Sequence, residues 1–298
     1  MVRVNLHIML IDTHAHLNFN AFEDDLDSVL KSTLGSDMGL VMPGTQFETS
    51  KTGVELSEKW NDPRVWAAVG LHPIHLEKRE VDSSETKTNN RVVVQPYGEF
   101  YSEDFVRAKY EELAKSKKVI AIGEIGLDYW HRPKTKEAGS AYAQKQIETL
   151  KAQLDMALDL KKPVILHCRV AHKDLLKLLA EHPHTQKMET PGVVHSYTGS
   201  TKQLKKFLQM GYYIGINGLV FKLVLMADAV KAVPLDRMVL ETDSPYLTPP
   251  KAGEGRNEPA NIKYTAQKVA EIKGILFEEV AKQTTQNAKR VFGVDFKA

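Results

Sequence analysis

Short apolar runs rich in Val and Ile recur along the whole chain, at residues 8–11, 38–42, 65–69, 119–122, 164–166, 193–194, 212–216 and 238–240. Each closes on a polar, Gly or His residue. Unbroken apolar runs suit parallel strands covered on both faces, where a half-solvated strand would alternate. Between the runs, apolar positions take helical spacing over residues 22–34, 48–60, 103–117, 141–160, 173–180, 201–210 and 222–231. A helix is therefore expected after every strand.

The rhythm of these units selects an architecture. One residue at the C-terminal end of each run, His14, Gly44, His72, Glu124, His167, His195, Asn217 and Asp243, gives steps of 30, 28, 52, 43, 28, 22 and 26. Most match the ~30 residues of a strand-helix-strand repeat. Eight such units with a terminal helical pair, residues 260–273 and 276–292, predict an α/β fold, a (β/α)8 TIM barrel formed as one domain over residues 1–298. An open doubly wound sheet is the competing layout, but no G-x-G-x-x-G follows the first run. The long step of 52 holds residues 77–91, with four acids, four bases and no aromatic residue. It reads as a solvated loop insertion, at about residues 76–100, in the third strand-to-helix connection.

Composition narrows the chemistry. Forty Lys+Arg against 38 Asp+Glu leave a formal charge of +2, so bulk charge does not draw this chain to nucleic acid. The single cysteine, Cys168, excludes a disulfide framework and a thiolate zinc cluster and fits a reducing compartment. Any metal must then be held by His and carboxylate. The run at 8–11 is far below the ~20 residues of a membrane-spanning helix, so no membrane association and a cytoplasmic location are expected, or a nuclear one if the cell is eukaryotic.

Five histidines, Glu124 and Asp243 fall at predicted strand ends, the C-terminal rim from which barrel enzymes take their catalytic groups. In Asp12-Thr13-His14-Ala15-His16 the two imidazoles share one side of an extended strand and can share one ion, with Asp12 placed to orient them. A hydrogen-bonded histidine pair is the bland alternative. Glu124 lies between two glycines, and its two oxygens suit it to bridge two ions; pairing with a buried arginine is the alternative. His167 and His195 end adjacent strands ~4.8 Å apart and can converge on one ion. Asp243 can act as general base on a metal-activated water, or simply cap the turn before Pro245. Glu241 shares its parity but sits farther from the rim. Cys168 points to the opposite face, into the core, while Arg169 can reach a substrate phosphate. Nitrogen and oxygen donors, three or four per ion, select hydrolysis by a divalent metal over redox chemistry.

These motifs together resemble the TatD family of metal-dependent hydrolases, over nearly the entire chain. The blocks are Ile11-Asp12-Thr13-His14-Ala15-His16-Leu17, Gly70-Leu71-His72-Pro73, Gly123-Glu124-Ile125-Gly126-Leu127-Asp128-Tyr129, Leu166-His167-Cys168-Arg169, His195-Ser196-Tyr197-Thr198-Gly199, Glu241-Thr242-Asp243-Ser244-Pro245-Tyr246-Leu247 and Arg256-Asn257-Glu258-Pro259. The resemblance implies a barrel with two divalent ions, Mg2+, Mn2+ or Zn2+. His14, His16, Glu124 and Asp243 would hold one, and Glu124, His167 and His195 the second, with Asp243 and Glu124 catalytic and His72 near substrate. It implies a deoxyribonuclease acting on single-stranded DNA or 3′ ends as a 3′ to 5′ exonuclease. Arg169 and Arg256 are the expected phosphate contacts; Arg132, Lys134 and Lys136 read as solvated charges. Departures are Val170, where the family commonly has an acid, the sixth-strand block, commonly His-Cys-Phe-Ser-Gly, and the long 76–100 loop. They bear on substrate preference and not on metal hydrolysis. Amide, lactone or ester hydrolysis by the same metals is the alternative, and a binding scaffold with an idle site is disfavoured because all six ligand positions are filled.

Overall fold

The computed structural model describes residues 9–80, 82–85 and 100–295. Eight parallel strands form one sheet: β1 (Leu10–Asp12), β2 (Met38–Pro43), β3 (Val65–Val69), β6 (Val119–Asp128), β7 (Val164–Arg169), β8 (Gly192–Val194), β9 (Tyr213–Ile216) and β10 (Met238–Leu240). Two short antiparallel strands, β4 (Arg79–Glu80) and β5 (Phe100–Tyr101), stand apart. Thr13 N donates to Leu240 O at 3.0 Å and Asp243 N to His14 O at 2.9 Å, which joins the first strand to the last and closes a (β/α)8 barrel.

All eight expected strands form. Ile11, Val41, Ile165, Val193, Tyr213 and Val239 pack together with Ala288, Val291 and Phe292 of α10 (Phe277–Phe292). Thr285 Oγ1 on α10 donates to Met9 O at 2.7 Å, and Asn287 Nδ2 to Met238 O at 2.7 Å, so this helix is tied to the N-terminal ends of β1 and β10. Each buried Val or Ile contributes ~1.5–3 kcal/mol, which makes the continuous apolar runs the main support of the barrel.

The intervening helices are α1 (Leu26–Gly35), α2 (Phe47–Trp60), α3 (Arg107–Ala114), α4 (Lys136–Asp159), α5 (His172–Glu181), α6 (Pro183–Lys187), α7 (Thr201–Gln209), α8 (Val224–Ala232) and α9 (Ile262–Lys273). Two are shorter than their periodicity predicts. Before α3, Glu103 is drawn into tertiary bonds, accepting from Phe47 N at 3.0 Å, Tyr110 Oη at 2.8 Å and Tyr101 Oη at 2.5 Å. Ahead of α1 the chain makes a separate turn at Asn20–Phe22 that buries Phe22.

In the third-connection loop Glu77, Lys78, Glu80 and Asp82 are exposed, as a solvated insertion requires, and Glu85 is the exception. Residues 82–85 pack down on the barrel mouth: Asn20 N and Ala21 N donate to Glu85 O and Ser84 O, and Tyr246 Oη bonds Asp82 Oδ2 at 2.9 Å. Glu85 is buried, accepting from Thr45 Oγ1 and lying 2.9 Å from His75 Nε2. Of its charges, Glu85 is buried between Thr45 and His75 and Asp82 bonds Tyr246 across the mouth, whereas Glu77, Lys78 and Glu80 stay exposed. The rest of that segment, residues 86–99, lies outside the described residues.

Candidate active site

The C-terminal strand ends bring together six of the expected residues. His14 Nε2 lies 3.1 Å from His16 Nε2 and 3.2 Å from Glu124 Oε2. Asp243 Oδ1 stands 3.9 Å from His14 Nε2, 3.6 Å from His16 Nε2 and 3.7 Å from His195 Nε2. Glu124 Oε1 faces His167 Nδ1 at 2.9 Å and His195 Nε2 at 4.0 Å. The His14 and His195 rings stack at 3.5 Å.

Local backbone explains this focus. The register of β6 against β7 shifts between Ile122 and Ile125, and such an irregularity re-aims a side chain, here Glu124. A Cβ at Gly126 would collide with the His167 carbonyl, so glycine lets β6 and β7 approach. Just beyond three strands, Val170, Ser196 and Asp243 take φ of 59°, 47° and 59°. Left-handed backbone at non-glycine residues is costly and clusters at functional sites.

Hydrogen bonds assign the tautomers. His16 Nδ1 lies 3.1 Å from Pro43 O, an acceptor only, so Nδ1 carries the proton and Nε2 turns a lone pair toward the cluster. His72 is the reverse: its Nδ1 accepts from Ile74 N at 3.2 Å, leaving the proton on Nε2, 3.5 Å from Glu124 Oε1. Neutral His72 thus presents a donor, whereas His16 presents a ligand.

Two orienting carboxylates emerge from the fold. Asp128 Oδ2 is 3.1 Å from His167 Nε2 and Glu241 Oε1 is 3.0 Å from His195 Nδ1. Glu241, read from sequence as the position farther from the rim, is fully buried; Ser196 N donates to it at 2.6 Å, and a Cβ at Gly215 would collide with it. Asp12, expected to orient a histidine ring, instead accepts from His14 N, Thr242 N and Thr242 Oγ1, tying the first strand to the last. In the sequence Asp128 lies four residues after Glu124 and Glu241 shares the parity of Asp243, but neither role has a local signal of its own.

The titrations divide the cluster. Burial, reinforced by the charge of His195, drives His14 down to about 3. Burial lowers His72 to about 4. Burial also opposes charge on His167, but hydrogen bonds to Asp128 and Glu124 prevail and hold it up at about 9. For His195 burial is outweighed by the charges of Glu241 and Asp243, which raise it to about 10. Burial likewise works against the ionised carboxylates, yet His72 and His14 keep Glu124 well below the usual range, and His195 and His16 lower Asp243.

This donor set fits a divalent cation. Two nitrogens ~2.1 Å from one ion at roughly 90–110° stand about 3.0–3.4 Å apart, as His14 and His16 do. His14 Nδ1 is buried with no hydrogen-bond partner. Two overlapping sets, His14–His195–Asp243 and His14–His16–Glu124, each hold their ligand atoms within 4.8 Å of one another; beside Glu124 and His167 the third position within that distance is taken by His72, where the sequence places His195.

Arg169 lines the same cavity of about 560 Å3. Arg256, the other expected phosphate contact, is not among the residues that line this cavity. It bonds Asp25 through both Nη atoms at 2.9 and 2.7 Å and Glu258 at 3.0 Å, with Phe22 beneath it at 4.0 Å. Ala21 O, both Asp25 oxygens and Glu258 hold its two Nη atoms, while Nε is buried without a hydrogen-bond partner, so the guanidinium ties the last loop to the turn before α1.

The model of the TatD related DNase family matches residues 11–293. An uncharacterized metal-dependent hydrolase of Bacillus subtilis, YabD, is 33% identical over 96% of this chain and 100% of its own length. The 3′-5′ ssDNA/RNA exonuclease TatD of Citrobacter rodentium is 30% identical over 97% of this chain and all of its own. Among solved structures, the TatD homologue YJJV of Escherichia coli superposes with a TM-score of 0.77 at 27% identity, covering 97% of this chain and 100% of that one. Barrel, convergent His and carboxylate donors, and full-length similarity together make this chain a member of the TatD family of metal-dependent hydrolases.

Proposed function

We propose that this chain is a divalent-metal-dependent deoxyribonuclease that removes nucleotides from the 3′ end of single-stranded DNA. The observation that carries the reading is the convergence of His14, His16, Glu124 and Asp243, beside His167 and His195, in one barrel mouth. His14, His16, Glu124 and Asp243 would hold one ion, and Glu124, His167 and His195 would hold a second, with Mg2+, Mn2+ or Zn2+ as candidates. Divalent ions in such a site acidify water toward a pKa of ~7 and neutralise charge developing on phosphate.

The chain's own groups do the rest. Asp243, kept ionised by its histidine neighbours, accepts the proton of the attacking water. His72 donates from Nε2 toward a phosphate oxygen, and the Arg169 guanidinium contacts another. Asp128 and Glu241 hold the His167 and His195 rings in place. The name of the Citrobacter relative supports the polarity and adds RNA as a second substrate. Among the described residues no helix is long and apolar enough to cross a membrane.

The test is a time course on 5′-end-labelled single-stranded DNA with Mg2+, Mn2+ and Zn2+ in turn, beside a panel of amides and esters. A ladder shortening from the 3′ end is expected. Cleavage of amides or esters alone, or of nothing with any metal, would overturn the reading.

A further inference from the structure

Trp130 has no part in the chemistry of the metal cluster, yet the fold places it beside the barrel mouth, between the cavity-lining residues Asp128 and His131 in sequence. It lies two residues beyond β6 in the connection to α4, and 61% of its surface is exposed. The other tryptophans differ: Trp66 is buried and Trp60 is half-buried. A lone exposed apolar side chain is ordinary. Trp130 is set apart by what holds it. Its backbone N donates to Asp128 Oδ1 at 2.8 Å, while the other oxygen of that carboxylate faces His167. The Arg169 guanidinium lies 4.5 Å above its ring, and Arg169 itself lines the active-site cavity, as do Asp128 and His131. Val170, the next residue after Arg169, is exposed and carries a left-handed φ of 59°, so the β7 end that delivers the guanidinium leaves regular strand geometry there.

An indole fixed to a metal-ligand support, with a planar cation already stacked on it and most of its surface open, offers a π-face beside the site of phosphate chemistry. We propose that Trp130 and Arg169 form a stacking platform for a nucleobase of a single strand whose adjoining phosphate enters the cavity. This rests on the nuclease reading and deepens it. A base held inside a duplex has no free face to offer, so the platform favours unpaired strands and tolerates any base. Base–aromatic stacking of ~1–3 kcal/mol corresponds to roughly 5- to 150-fold in affinity.

Two measurements test this on the metal-loaded, full-length protein. A hydrolysis-resistant phosphorothioate oligo(dT) should quench tryptophan emission in the wild type but leave the emission of Trp130→Phe unchanged while still binding. Quenching of equal size in Trp130→Phe, or binding without quenching in the wild type, overturns the platform. In kinetics, Trp130→Ala should raise KM for single strands by roughly 5- to 150-fold with kcat within a few-fold, Trp130→Phe should restore most of the loss, and the penalty should shrink on a strand with an abasic site at the stacked position. An unchanged KM, or the same penalty on the abasic strand, sinks the proposal. If the wild type cuts no nucleic acid the nuclease reading fails by itself, and the fluorescence titration still decides whether Trp130 meets a base.

Discussion

The two halves of the histidine cluster are built by different means. On the first, His16 takes its orientation from a backbone carbonyl, Pro43 O, and His14 is buried and neutral, brought down to about 3. On the second, His167 and His195 are oriented by side-chain carboxylates, Asp128 and Glu241, and hold protons up to about 9 and about 10. The first half is ready to accept a cation. The second must release protons to do so, because only neutral imidazole ligates. Glu124 touches both halves and makes them one unit.

The largest effect should come from removing that shared group. Glu124→Ala is expected to strip metal from both halves in elemental analysis and to cut turnover by roughly 10³-fold or more, beyond the cost of losing one electrostatic donor. Retention of a full metal complement would separate the halves. Asp243→Asn should lower kcat by about 10²–10⁴-fold while the strand still binds, the range expected for a lost general base.

Sharper contrast comes from the orienting groups. Asp128→Asn and Glu241→Gln should each weaken metal affinity or activity ~10–100-fold, seen by metal titration. No side-chain substitution removes Pro43 O, so the first half has no equivalent weak point. If both variants bind metal like the wild type, the carboxylates serve only packing.

The same contrast predicts a pH dependence. His167 and His195 have folded values above the ~6.5 of a free histidine. Their contribution to the metal-free protein is complete below pH ~6.5 and is lost as pH rises through about 9 to 10. The Tm of chelator-treated protein should therefore fall across that window, where His14 and His72 add nothing because they are already neutral. Metal affinity should rise over the same range, with protons released into weak buffer. A flat Tm together with proton-free binding contradicts the assignment.

The smallest effect is expected at Arg256, whose ion pairs are partly exposed: Arg256→Ala should cost about 1 kcal/mol or less, read as a small drop in Tm. The salt dependence of DNA binding should stay unchanged, since Arg256 stands away from the cavity. A lost phosphate contact would instead reduce that dependence by about one charge.

Much of the fold was legible because its signals are local. The runs ending at His14, Glu124, His167, His195 and Asp243 are continuous and apolar, and their ~30-residue rhythm needs no knowledge of contacts. The partners of Arg256 and the burial of Glu85 are not legible in the sequence, for the converse reason. An arginine in a polar block, or a run of mixed charge, looks the same whether it meets phosphate, water or a neighbouring carboxylate. Asp25 lies 231 positions from Arg256, and Tyr246 lies 164 from Asp82.

By itself, then, the sequence determined the barrel, the strand ends and the donor types, since periodicity and residue chemistry are properties of short segments. Only the tertiary structure decided which carboxylate orients which imidazole, that Asp12 closes the ring, that the third-connection segment packs onto the mouth, and that Trp130 is held open under Arg169. Those outcomes depend on distances between residues far apart along the chain. Such distances exist only once the eight strands have closed on one another.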